Sequence, residues 1–151
     1  MLEVPYQSDG LVVAVCDRIL VTSVTSEITL EFLEEAFRAG RELGTRGLPV
    51  GSLTLTSANI PIPSGEVRQR ASEHTKLSNA WVGAGATVIG GTGFRTSVMR
   101  SMLTAMTLFS GGPPRRVFRD NGAALGWLAE EVKLPPAPRH ALRIWLAQQV
   151  D

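Results

Sequence analysis

Cysteine is nearly missing from this sequence. Cys16 is the single one, so no internal disulfide can form and the chain suits a reducing compartment. It lies in an apolar run with no base beside it and reads as a buried, inert thiol rather than a nucleophile. Histidine is scarce as well: His74 and His140 stand far apart and away from any carboxylate cluster. No set of residues has metal-ligand spacing, so neither a metal nor another cofactor is expected. An excess of either charge is also lacking, because 15 Lys and Arg oppose 14 Asp and Glu. That balance gives the chain as a whole no drive toward nucleic acid or an anionic membrane. No apolar stretch approaches the roughly 20 residues that cross a bilayer, and MLEVPYQSDG lacks the basic start and apolar core of a signal peptide. The expected setting is the cytoplasm, with neither nucleic acid nor membrane as partner.

What is present suits one folded domain: 151 residues, 44% hydrophobic and 19% charged. Leu11 to Val24 is strand material, with Asp17-Arg18 as a turn between two strands. Thr29 can cap a helix to about Leu43, whose Leu30, Leu33, Ala36, Phe37 and Gly40 share a face. Pro49 to Ile60 gives the next strand, Ser64 to Leu77 a polar helix, and Trp81 to Ile89 a small-residue central strand. Phe94 to Phe109 is the clearest helix, with Val98, Met99, Met102, Leu103, Met106 and Phe109 as a wide apolar stripe. Arg115 to Arg119 is a short strand, and Asn121 can cap a helix carrying Leu125, Leu128 and Val132. Pro135, Pro136 and Pro138 read as a stiff linker before a last helix, Arg139 to Val150.

This alternation predicts an α/β fold: a mixed, mostly parallel sheet of about five strands with helices packed on it. The expected division is an α/β domain over residues 1–134 and an accessory linker and amphipathic helix over 135–151.

The order of elements resembles the STAS-like, anti-sigma-factor-antagonist-like (SpoIIAA-like) domains, in particular uncharacterised bacterial members. The resemblance covers about residues 10 to 132. It rests on the helix from Thr29, the turn Pro61-Ile62-Pro63-Ser64-Gly65, and the stretch Arg116 to Leu128 with its strand, aromatic and Ala-Leu-x-Trp-Leu helix. In antagonists of this type, a serine at the start of the second helix is phosphorylated to control binding of a kinase-like partner. Ser64 is the matching position, with Pro63 where an acidic residue usually stands. The residue types alone make Ser64 a helix N-cap, a role compatible with carrying phosphate.

Three further features bear on function. Gly90, Gly91, Thr92 and Gly93 follow a strand and open a helix, as a phosphate-binding turn does, and Asp120 ends the next strand. Thr96 replaces the third glycine of a dinucleotide fingerprint, and too little chain follows for two nucleotide-binding halves, so a plain strand-to-helix connection is the favoured reading. The methionine stripe is expected to fill core, with an adaptable apolar-ligand pocket as its alternative. Arg95, Arg100, Arg115, Arg116 and Arg119 look like surface charge that an anion or acidic partner can use. Trp81 and Trp127 are expected in the core. Leu142, Trp145 and Leu146 either pack back on the domain or dock a partner.

With no catalytic residues to name, a non-enzymatic regulatory or protein-interaction module ranks first, its partner an unidentified protein or a second copy of the chain. A small-ligand or nucleotide-binding protein using Gly90 to Gly93 ranks second, and an enzyme third.

Overall fold

The computed structural model describes residues 1–108 and 111–149. Phe109 and Val150, expected on the apolar faces of their helices, lie outside the described residues. The elements are β1 (Leu2–Ser8), β2 (Leu11–Cys16), β3 (Ile19–Val24), α1 (Leu30–Gly44), β4 (Val50–Thr56), α2 (Gly65–Ser78), β5 (Val82–Ile89), α3 (Phe94–Leu108), β6 (Arg115–Phe118), α4 (Asn121–Val132) and α5 (Pro136–Gln148). One six-stranded sheet holds the strands in chain order, antiparallel from β1 to β3 and parallel from β3 to β6. The α/β class and mixed, mostly parallel sheet match expectation, with β1 as one strand more than the five predicted. β1 is largely exposed and offers no apolar run, and a register shift between Glu3 and Tyr6 interrupts its pairing with β2.

The layers follow from chain direction. Three successive strand–helix–strand crossovers run one way across the sheet, and crossovers of one hand place α1, α2 and α3 on one face. After β6, helix α4 turns back beneath β4 and β5 on the other face, and α5 packs on α4 and reaches β1. β2 (LVVAVC) is apolar throughout, as a strand covered on both sides must be. Leu11 and Val13 join the core beneath α1 with Phe32 and Leu43, while Ala14 and Cys16 join the core beneath α4 with Leu53 and Leu128. Local signals set the helix starts. Thr29 Oγ1 accepts from Phe32 N–H at 3.2 Å, Ser64 Oγ from Val67 N–H at 3.3 Å, and Asp120 caps α4, one residue before the Asn121 expected there.

Two helices depart from the sequence reading. The proline segment is not a linker: Pro135 occupies the N-cap of α5, and Pro136 and Pro138 form its first turn, where a missing N–H costs no helical bond. Leu142 and Leu146 are 0% and 3% exposed, and with Leu134 they share one buried cluster with Ile19, Leu53 and Leu128. A boundary at residue 134 therefore cuts through a single core. The Leu142, Trp145 and Leu146 face is closed within the chain rather than free for a partner, and Trp145 packs at the margin of that cluster.

α3 departs in the opposite direction. Its methionine stripe does not fill core: Phe94, Val98, Met102 and Met106 are 85%, 39%, 60% and 64% exposed. Only Thr96 is buried among its described side chains, with Met99, Arg100 and Leu103 half-buried. The reason lies in the sheet. α3 covers β6, an edge strand of four residues, and so narrow a strip can bury only one side of the helix.

Candidate functional site

The residues singled out from sequence lie at different places. Ser64 is exposed at the head of α2, behind the exposed Ile62, and Arg68 folds back so that its Nη1 donates to the Pro63 carbonyl at 2.9 Å. Gly90 to Gly93 joins β5 to α3, with Gly91 and Gly93 at φ +99° and +104°, a conformation that favours glycine. Its carbonyls are engaged: Arg100 Nη1 donates to Ile89 O at 2.7 Å and to Gly91 O at 3.3 Å, tying the turn to the first coils of α3.

A cleft of about 500 Å³ opens at the carboxyl ends of the strands, lined among others by Thr25, Ser57, Gly90, Gly91, Arg119 and Asp120. Asp120 does not sit there as a ribose contact. Its carboxylate caps α4, accepting from Gly122 N–H at 3.0 Å and Ala123 N–H at 3.3 Å. The donors a phosphate would use at that helix end are thus taken by a carboxylate, which repels an anion. The strand order also follows chain order, without the reversal at which doubly wound sheets open a ligand crevice.

The α3–β6 side has another character. Phe94, Val98, Met102 and Met106 recur every four residues and so form one ridge along the helix. Beside it, a groove of about 500 Å³ runs between α3 and β6, lined by Ser97, Arg100, Ser101, Val117, Phe118 and Arg119, among others. Between Glu73 and Asp120 the sequence has no acidic residue, while Lys76, Arg95, Arg100, Arg115, Arg116 and Arg119 all fall there. Arg95 and Arg119 are exposed and enter no ion pair among the described residues. Arg116 is the exception: it lies over the Phe118 and Trp127 rings, 5.1 and 5.8 Å from their centroids, and so belongs to the α4 face of the sheet rather than to the α3 ridge. The overall charge balance hides this asymmetry. Counting acids along the chain would have exposed it, whereas the exposure of the ridge follows only from the width of the sheet.

Beneath α1 and α2 lies a third feature, a pocket of about 240 Å³ whose wall includes Phe37, His74 and Trp81. The His74 ring stacks on Phe37, centroids 4.4 Å apart and planes 20° from parallel. Trp81 fits here because Gly40 and Gly44 face it: a Cβ at either would stand 2.6 or 2.8 Å from the indole. At the rim Glu34 Oε1 accepts from Arg70 Nε at 2.7 Å and lies 3.5 Å from His74 Nε2. The hydrogen bond from Arg70 holds the Glu34 carboxyl below the usual carboxylate range, whereas burial holds the His74 imidazole below the ordinary histidine value. Among the described residues no cluster of three or more His, Cys, Asp or Glu can hold a metal, and no helix is long and apolar enough to cross a membrane.

The sequence matches no family model and no curated protein at a significant level. The fold does find a counterpart. An uncharacterised protein of the DUF3478 family from Shewanella loihica PV-4, described as having a SpoIIAA-like fold, superposes with a TM-score of 0.54. The two share 13% identity, over 84% of this chain and 93% of that one. At that level of superposition over most of both chains, this chain has the SpoIIAA-like α/β fold.

Proposed function

We propose that this chain is a non-enzymatic protein-interaction module whose contact surface is the α3–β6 side, and that its partner is a protein presenting an apolar and acidic segment. The observation that carries this reading is the exposed ridge of Phe94, Val98, Met102 and Met106 in a stretch free of acidic residues. An amphipathic helix that leaves its apolar side in water invites a covering surface. The surrounding arginines select the sign of that surface, and they oppose a second copy that would bring Arg95 and Arg119 against themselves.

Ser64 supplies a means of control. It is exposed, caps α2, and has the Arg68 guanidinium beside it, so a phosphate there would gain the α2 N-terminus and a cation together.

A photo-crosslinking residue in place of Met102, in cells that make the protein, tests the reading. One discrete heterologous adduct is expected, absent when the crosslinker replaces Ile144 on α5 and lost in Arg119→Glu. No adduct at Met102, equal adducts at Ile144, or an adduct containing only this chain would overturn it.

A further inference from the structure

The sheet surface under α1 and α2 carries hydroxyls where a covered sheet ordinarily carries hydrocarbon. Leu11, Val13, Leu20 and Val24 are buried on this face, yet the floor of the pocket includes Thr22, Ser52 and Thr54, all half-buried. The Thr22 and Thr54 hydroxyls hydrogen-bond each other at 3.2 Å, which leaves one hydroxyl hydrogen of the pair to turn toward a guest. These three residues sit on β3 and on the adjoining β4, so helix packing alone does not call for them.

A cation closes the same pocket. Arg115, at the start of β6, reaches across Gly85 of the neighbouring strand: a Cβ there would stand 3.3 Å from Arg115 Nη1. The bare backbone of Gly85 lets the guanidinium lie along the sheet, with Nη2 donating to Asn79 Oδ1 at 2.9 Å. No carboxylate pairs with it among the described residues. Burial alone pulls its pKa down, the mark of a cation drawn from water without a counter-charge. Glu34, the carboxylate at the rim, is already neutralised by Arg70.

We propose that this pocket binds a small organic carboxylate, its charged end on Arg115 and the floor hydroxyls, and its compact planar body against Phe37 and Trp81. A guanidinium offers paired donors that fit a carboxylate, and the aromatic wall accepts a flat apolar group. The volume of about 240 Å³ suits something near a single substituted ring. Although Arg115 begins β6, the pocket shares no lining residue with the α3–β6 groove, so either assignment can fail alone.

Phenylacetate, with phenylacetamide as its uncharged counterpart, is the probe. In amide and indole NMR spectra of the full chain, millimolar phenylacetate is expected to shift the Trp81 indole and the backbone of Ser52, Thr54 and Arg115. Phenylacetamide should bind at least tenfold more weakly. Arg115→Met should erase that preference, Arg115→Lys should keep part of it, and Thr54→Leu, which fills the floor, should weaken both probes. The inference fails if phenylacetate shifts none of these signals, if the amide binds as well as the acid, or if folded Arg115→Met still prefers the acid.

Discussion

Ser64 secures the head of α2 through one side-chain hydrogen bond, and α2 buries little else, with Val67 and His74 as its buried residues. Removing a serine N-cap costs about 1 kcal/mol. Ser64→Ala is therefore expected to lower stability by about that much in urea unfolding, whereas Ser64→Asp, an equally good cap, should stay near wild type. Such caps are legible in sequence because the capping group and its target lie three residues apart. His74 is different, because its stacking on Phe37 and its approach to Glu34 join two helices and no local pattern announces them. Burial lowers its folded pKa, so as pH falls the unfolded chain takes up this proton first. The contribution of neutral His74 to stability is complete above pH about 6.5, the unfolded value, and is lost as pH falls through the folded value. His74→Phe should flatten the decline of stability between pH 7 and 5. An unchanged slope would assign that decline to other groups.

At the scale of elements, α3 and α5 exchange the roles their sequences suggest. Both show apolar residues at three- and four-residue spacing, and that spacing reports a face that needs cover without saying what covers it. α5 reaches a wide covering surface, α4 and the β1 end of the sheet, and is buried there. Among the described residues α3 packs mainly on the short β6 and keeps a ridge in water. Leu142→Ala should accordingly destabilise the protein by about 2–5 kcal/mol, as truncation of a buried leucine does. Met102→Gln should stay within about 0.5 kcal/mol, as exposed substitutions do. Denaturant unfolding of the two variants side by side checks both, and a comparable loss in Met102→Gln would place that side chain in a core. The strands divide in the same way. β2 to β5 are legible as apolar or alternating runs, while β1 owes its place to pairing with β2 and has no run of its own.

The whole molecule is one core system divided by the sheet, and Cys16 reports on its closure. The thiol is 1% exposed on the α4–α5 side, with its Sγ 3.8 Å from the Pro138 carbonyl at the start of α5. Sequence correctly marks Cys16 as buried, yet nothing local shows that the residues covering it arrive more than a hundred positions later. Burial also raises the thiol pKa, so the native protein offers a thiol reagent little access and little thiolate. A chain ending at Leu134 loses Leu142 and Leu146 from the cluster that holds Ala14, Cys16 and Ile19. Burying each such leucine is worth roughly 1.5–3 kcal/mol, a large part of the 5–15 kcal/mol that keeps a typical domain folded. Under native conditions Cys16 of the full chain is expected to react with a disulfide reagent only through rare opening. In the chain truncated at Leu134 it should react close to the rate of the unfolded protein, with loss of a cooperative thermal transition. Equal, slow labelling of both would mean that α4 and the sheet close over Cys16 unaided, and α5 would then be an accessory after all.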